Sequence, residues 1–244
     1  RSHGKAAFLT LADEKDTIQL YFQFDILGEE GYTFFKKWVD SGDIIGAVGK
    51  PFRTQRGELS LQVTEFTLLS KALRPMPEKW HGLKDVEIRY RQRYLDLIAN
   101  PEVRDVFRNR AKIISTFRRI LDNHGTLEVQ TPILSSMAGG ANARPFETHH
   151  NTLDMQMFLR IAPELYLKRL IVGMFGRVYE LGQNFRNEGM DTRHNPEYTS
   201  MEVYWAYSSY REMMDLAEEL LVSCADELGG RHIDLQGTHI DLSP

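Results

Sequence analysis

Along Thr17–Phe24 the apolar residues Ile18, Leu20, Phe22 and Phe24 alternate with Thr17, Gln19, Tyr21 and Gln23. That period of two predicts a half-buried strand. Ala7, Leu9 and Leu11 alternate with Ala6, Phe8 and Thr10 in the same way, and a third strand is predicted through Leu59, Leu61 and Val63 after the turn at Arg56–Gly57. Gly42, Gly46 and Gly49 break up Asp43–Val48, which predicts a short curved strand with bulges. Glu29–Val39, with Tyr32, Phe35 and Trp38, reads as one helix inserted among the strands. Short curved strands around one helix suit a small Greek-key barrel, with a further strand expected ahead of Arg1.

Arg74–Pro75–Met76–Pro77 and the polar run to Asp85 predict a linker, so the chain is expected to divide into residues 1–74 and 75–244. Beyond it the period becomes helical. Asn100–Pro101–Glu102 opens a helix, Val103, Val106, Phe107, Ile113, Ile114, Phe117, Ile120 and Leu121 form its apolar stripe, and Gly125 stops it. Ser209–Tyr210–Arg211–Glu212 is a capping box opening a helix to Gly229–Gly230, with Met213, Leu216, Ala217, Leu220 and Leu221 inward. Cys224 falls on that side and reads as a core thiol. The fold class expected is α+β.

Charge narrows the function. The formal net charge over 244 residues is −4, so no global field draws the chain onto nucleic acid or membrane, and such contacts must be local patches. A 42% hydrophobic and 11% aromatic content excludes a disordered chain. No apolar run approaches the ~20 residues of a membrane helix, so no membrane partner is expected. One cysteine excludes an intrachain disulfide and a multi-Cys zinc site, and makes the cytoplasm the expected compartment. Arg1 stands where a Met would start a chain, so the beginning reads as a cut end.

The chemistry gathers in Val178–Tyr207. Two extended segments, Val178–Glu188 and Tyr198–Tyr207, flank the polar loop Gly189–Glu197. Period-two geometry puts Asn184, Arg186 and Glu188 on one face, and Tyr198, Ser200, Glu202, Tyr204 and Ala206 together on the other segment. Thr199, Met201, Val203, Trp205 and Tyr207 take the opposite, mostly apolar face. Arg186 can clamp phosphate or carboxylate through its planar fork. Glu202 can hold an ammonium, since a carboxylate facing a pocket needs a cation or donors to stay ionised. The spacing alone favours a sheet face laced with ordinary ion pairs over a substrate site.

The wording of the segment goes further. Phe185–Arg186–Asn187–Glu188, the loop Gly189–Glu197 and Tyr198–Thr199 through Glu202–Val203–Tyr204 resemble the second motif of the class II aminoacyl-tRNA synthetases, most closely the lysyl-tRNA synthetase family. The stripe helix to Gly125 with Leu127–Glu128–Val129 and Thr131–Pro132–Ile133–Leu134 resembles the first motif. Ala138–Gly139–Gly140–Ala141, Arg144–Pro145–Phe146, Thr148–His149–His150–Asn151, Leu159–Leu165 and Tyr90–Leu97 follow in the family's order, so the resemblance covers essentially the whole chain. It implies an N-terminal OB-fold barrel followed by a largely antiparallel catalytic sheet flanked by helices.

In that family, the position of Arg186 bridges the amino-acid carboxylate and the α-phosphate of ATP. The resemblance puts Glu188 and Asn195 at the adenine, Tyr198 stacked on it in place of the commoner Phe, and His194 near the triphosphate tail. It puts Glu164 and the Gly140 backbone at the α-amino group of L-lysine, and Glu202 and Tyr204 at its ε-ammonium. Glu164 also reads locally as a favourable acid at a helix N-terminus. Phe8, Gln19 and Glu58 fall where the family reads a uridine-rich anticodon, and their alternation puts Phe8 and Gln19 on the wetter face of their strands. Arg53, Arg56 and Lys71 are candidate phosphate contacts. A homodimer through the stripe helix is implied, with tRNA(Lys) as partner.

Two departures bear on this reading. Thr126 follows Gly125 where the family has an aromatic. The third motif and the carboxylates for Mg²⁺ have no match before Pro244, so these residues are expected to be part of a longer ligase, inactive alone, with no metal ligand in this stretch. His149 and His150 make a poor ligand pair, because adjacent strand residues point to opposite faces. The alternatives are a sister synthetase for Asp or Asn, a binding-only relative of the synthetases, and lysylation of another acceptor. An acid at position 202 would repel an aspartate side chain.

Overall fold

Alternation on a strand separates two faces only where one of them has something to bury, and the first unit shows this directly. The computed structural model describes residues 2–74, 76 and 83–243, and its backbone divides into Arg1–Val103 and Arg104–Pro244. In the first unit, strands β1 (Ser2–His3), β2 (Ala6–Ala12), β3 (Thr17–Gln23), β4 (Ile44–Arg53) and β5 (Leu59–Ser70) form one sheet in the order β1-β2-β3-β5-β4. Ala7 pairs with Phe22 and Leu9 with Leu20, facing the core, while Phe8 pairs with Tyr21 and Thr10 with Gln19 on the other face. Val63, Ile45, Tyr32 and Phe35 close that core, with Phe22 and Phe35 stacked at 4.2 Å. Burying side chains of this size is worth about 1.5–3 kcal/mol each.

Helix α1 (Phe24–Trp38) is broken at Gly28, whose φ of 73° and ψ of 173° are not helical, so a short helical turn from Phe24 precedes the expected helix from Glu29. Trp38 is half exposed, with Lys37 Nζ 5.0 Å from its ring. Strand β4 runs well past the predicted Asp43–Val48, and its register shifts at Ile44/Ile45 and Val48/Gly49 are the bulges. A Cβ at Gly49 would lie 2.1 Å from the Gln62 carbonyl oxygen, so only glycine fits there. Residues 75 and 77–82 of the expected linker lie outside the described residues. Helices α2 (Val86–Arg91) and α3 (Arg93–Ala99) follow. They meet over the fully buried carboxylate of Asp96, which accepts from Arg89, Arg93 and Asn100. Burial opposes that charge, yet Asn100 and the guanidinium groups hold its pKa below the ordinary carboxylate value.

The second unit begins with helix α4 (Val103–Asn123), then β6 (Leu127–Glu128), β7 (Leu134–Ser135), β8 (Glu147–His150), β9 (Met155–Leu159) and helix α5 (Glu164–Val172). Strands β10 (Arg177–Phe185) and β11 (Glu197–Trp205), helix α6 (Tyr210–Leu228) and the hairpin β12 (His232–Leu235) and β13 (Thr238–Asp241) complete it. The sheets run β11-β10-β6 and β7-β9-β8. Ile120, Leu121, Tyr179, Leu216 and Leu220 make the core where α4 and α6 meet the sheet. The stripe of α4 is buried only there, whereas Val106 and Phe107 stay exposed. On α6 the capping box at Ser209 and Glu212 is present. Leu221 points outward, and Leu216, Leu220 and Cys224 take the inner face at four-residue spacing. Burial pushes the Cys224 thiol pKa up, so it stays a neutral core group. Thr126, in place of an aromatic, is buried and its Oγ1 accepts from Trp205 Nε1 at 2.9 Å.

Candidate functional site

Strands β10 and β11 pair over their whole length, with Glu180 opposite Glu202, Gly182 opposite Ser200 and Asn184 opposite Tyr198. These residues share one face. Arg160, just past β9, crosses beneath it: 5% exposed, it donates from Nη1 to Glu180 Oε1 and from Nε to the Gln183 carbonyl at 2.9 Å. Thr131 joins the group, donating from Oγ1 to Glu180 Oε2 at 2.6 Å and accepting from Arg160 Nη1 at 3.0 Å. Gly182 makes room for this crossing, since a Cβ there would lie 2.5 Å from Arg160 Nη2.

Arg186 continues the ladder one step past β10, its N–H donating to the Pro196 carbonyl at 2.8 Å. Its guanidinium carbon sits 5.3 Å from the centre of the Tyr198 ring. Glu188 lies beyond the strand, in the loop, and accepts from the Arg144 N–H at 3.3 Å. Asp191 organises that loop, taking the N–H groups of Arg193 and His194 on Oδ1 at 2.7 and 2.9 Å and bonding His194 Nδ1 at 2.7 Å. Those contacts hold its pKa below the ordinary value. His194 and Asn195 are exposed.

Glu164 opens α5, and its carboxylate meets Lys168 Nζ at 2.5 Å. The backbone of Gly140, at φ 89°, passes so close that a Cβ there would lie 3.2 Å from Glu164 Cβ. Tyr204 donates to Glu202 Oε2 at 3.1 Å. Burial drives the Glu202 pKa above its ordinary value. The Tyr204 hydrogen bond pulls it down, the charge of Glu164 pushes it up, Arg160 opposes and Glu180 adds to the rise. Tyr204 is likewise raised by burial and by Glu202 and Glu164. Glu202, Tyr204, Glu164 and Gly140 are thus brought together, with Arg186 and Tyr198 further along the same strand face. What the arrangement can do is hold cations beside the acids and an anion beside Arg186. A hollow of about 390 Å³ lies elsewhere in the unit, along Leu134, Phe146, His150 and Leu159. There His149 faces Asp154 and His150 Nδ1 accepts from the Leu153 N–H.

In the first unit the outer sheet face carries an aromatic row. Phe8 stacks on Tyr21 at 4.6 Å and 17°, and Tyr21 lies 5.7 Å from Phe52. Gln19 is on this face, its Oε1 accepting from Ser60 Oγ at 2.9 Å. Glu58 is exposed at the β4–β5 turn, tied to Thr54 through its backbone. Lys71, a candidate phosphate contact in the sequence, is instead held by Asp40 and by Asp43, whose pKa those bonds help lower to about 2. Arg53 Nη1 donates to the Gly57 carbonyl, and Arg56 is exposed.

Residues 85–242 match the family model of the class II tRNA synthetases for D, K and N, and residues 1–69 that of the OB-fold nucleic acid binding domain. The chain belongs to the class II tRNA synthetases. It is 57% identical over its full length to a lysine–tRNA ligase of Syntrophomonas wolfei, covering 50% of that protein, and 57% identical to one of Thermoanaerobacter pseudethanolicus, covering 49%. With a Clostridium botulinum lysine–tRNA ligase the identity is 55%, again over the full chain and 48% of the relative. The chain spans about half the length of the curated relatives it matches.

Arg160, Glu180 and Thr131 have no role assigned by the sequence pattern, and the fold joins them. Extending the period of two back from Asn184 through Gly182 reaches Glu180. A lone arginine between Leu159 and the buried Ile161 is the sign of a buried ion pair.

Proposed function

We propose that this synthetase chain carries the lysine- and ATP-binding core and the anticodon-reading module of a lysine–tRNA ligase, with residues 1–74 as the module and 75–244 as part of the catalytic domain. The observation that carries the reading is the pair of carboxylates, Glu164 and Glu202, near enough for one to raise the other's pKa and on the same side as Arg186. Lysine carries an ε-ammonium at one end and, at the other, an α-ammonium beside a carboxylate. Two acids and one arginine are the complement it needs.

In this reading Glu202 and Tyr204 take the ε-ammonium, Glu164 and the Gly140 backbone take the α-ammonium, and Arg186 bridges the carboxylate and the ATP α-phosphate. Adenine stacks on Tyr198 and bonds Glu188 and Asn195, with His194 toward the phosphate tail. The carboxylate oxygen attacks the α-phosphorus in line, the bond to the bridging oxygen breaks, and pyrophosphate leaves with the electron pair. Arg186 aligns two anions and spreads the developing charge, so no side-chain nucleophile is required. A ribose hydroxyl at the tRNA 3′ end then attacks the lysyl carbonyl, and AMP departs. Mg²⁺ commonly accompanies ATP. Among the described residues no group of three or more His, Cys, Asp and Glu converges as ligands.

Phe8, Gln19 and Glu58 read the anticodon of tRNA(Lys). The exposed Val106 and Phe107 on α4 suit burial against a second copy in a homodimer. A cytoplasmic setting accords with the single buried thiol. Among the described residues no helix is long and apolar enough to cross a membrane.

The test is amino-acid-dependent ATP–pyrophosphate exchange by the complete ligase containing this sequence, run with lysine, aspartate and asparagine. Lysine alone should support exchange, and Arg186→Ala should abolish it. Exchange with aspartate or asparagine, or with none of the three, overturns the reading.

A further inference from the structure

Asn184 and Arg186 are two residues apart on one strand face, about 7 Å between Cα atoms at strand spacing. Asn184 is 1% exposed, and its Nδ2 donates to Ser200 Oγ at 2.6 Å. Its Oδ1 has no hydrogen-bond partner among the described residues, and neither has Arg186 Nε; both atoms are buried. One is an acceptor and the other a donor. Leaving such groups unpaired away from water is costly, so the pair is poised to meet. What Arg186 does instead is lie over the ring of Tyr198, the residue directly opposite Asn184. That ring is the proposed seat of the adenine. In this arrangement the guanidinium stands where the base would stack.

We infer that Asn184 is a positioning residue for Arg186. When the base takes the face of Tyr198, the Arg186 Nε–H docks on Asn184 Oδ1 and the two terminal nitrogens turn to the carboxylate and the α-phosphate. Ser200, by holding the amide nitrogen, keeps Oδ1 turned toward Arg186. The inference rests on the proposed role of Arg186.

The test measures binding of a non-hydrolysable lysyl-sulfamoyl adenosine to the complete ligase by calorimetry, in a double-mutant cycle. Asn184→Ala should weaken binding about ten-fold, the loss expected for a hydrogen bond from a charged donor. Lysine has a methylene where arginine has Nε, so on Arg186→Lys the same change should cost nothing further. Asn184→Asp keeps the acceptor and should bind within about three-fold of wild type. If Asn184→Ala does not fold, the nearly isosteric Asn184→Leu replaces it. Equal weakening in both backgrounds, or a lower melting temperature with unchanged binding, overturns the inference and leaves Asn184 a packing residue. Failure of the wild type to bind the analogue would instead overturn the lysine reading itself.

Discussion

Glu180 and Glu202 stand directly opposite each other across the β10–β11 ladder, yet the Arg160 guanidinium bonds only Glu180. Two carboxylates so placed repel unless one is neutralised. Arg160 and Thr131 satisfy Glu180, and Glu202 is left with Tyr204 as its one hydrogen-bond donor among the described residues. The asymmetry separates the two acids: Glu180 is tied into the fold by Arg160 and Thr131, while Glu202 is held by Tyr204 and is penalised by burial.

Removing Arg160 should therefore expose the repulsion. Arg160→Met leaves Glu180 buried and unpaired, and the loss of stability should be about 3–5 kcal/mol. The double change Arg160→Met with Glu180→Leu should recover most of it, because an apolar pair of similar volume removes both desolvated charges. Denaturant unfolding of the three proteins checks this. Equal stability of the single and double variants would contradict it.

The same pair predicts how stability responds to pH. The Glu202 carboxyl has a folded-state pKa above its ordinary 4.5, so the native state prefers the protonated form. Its contribution is fully present below the unfolded value and is lost as pH rises through the folded one. Glu202→Gln stays uncharged and escapes that loss. The variant should melt higher than wild type at pH 7, and the gap should close by pH 4. It should also raise the lysine KM if, as proposed, the acid that strains the fold is the one that meets the ammonium. Melting curves across that range, with lysine kinetics at pH 7, test both halves.

Gly182 offers a steric check on the same network. Its added Cβ would meet Arg160 Nη2 at 2.5 Å, and that guanidinium is pinned by Glu180, Thr131 and the Gln183 carbonyl. Gly182→Ala should cost about 1–3 kcal/mol, as overpacking of a well-filled interior does. In the Arg160→Met background the penalty should shrink. Full additivity of the two changes in denaturant unfolding would mean the crossing is not what requires glycine.

How much of this was legible in the sequence follows the reach of the forces involved. Strands β2, β3, β10 and β11 were readable because burying one face imposes a period of two, and the opposed acid and aromatic positions came with it. The short helical turn from Phe24 that precedes the break at Gly28 was not, because Phe24 prolongs the alternation of β3. Tyr207, placed on the apolar face by counting, is fully exposed because its φ of 60° turns the chain out of the strand. Cys224 is inward as expected, but Ala217 and Leu221 are exposed because the position of α6 over Ile120 and Leu121, and not its own pattern, chooses the inner face. Arg160 finds Glu180 across twenty residues, a pairing no local period reveals.

The aromatic row on the first unit gives the last prediction. Phe8 is backed by Tyr21 at 4.6 Å with nearly parallel rings, and Tyr21 leans on Phe52. An unpaired base stacking on Phe8 would extend this row, and such stacking is worth about 1–3 kcal/mol per base. Phe8→Ala should weaken binding of a uridine-rich anticodon stem–loop about ten-fold or more. Tyr21→Ala should weaken it less, by loosening the ring beneath, and Tyr21→Phe should leave it unchanged. Because none of these changes touches a phosphate contact, the dependence of affinity on salt should keep its slope. Arg56→Ala, at an exposed cation near the same strands, should reduce that slope. Fluorescence anisotropy over a salt series reads these effects, with lysine-dependent pyrophosphate exchange followed in parallel. Exchange should be unaffected by Phe8→Ala, and a matching loss of binding and exchange would mean that Phe8 supports the fold and does not contact a base.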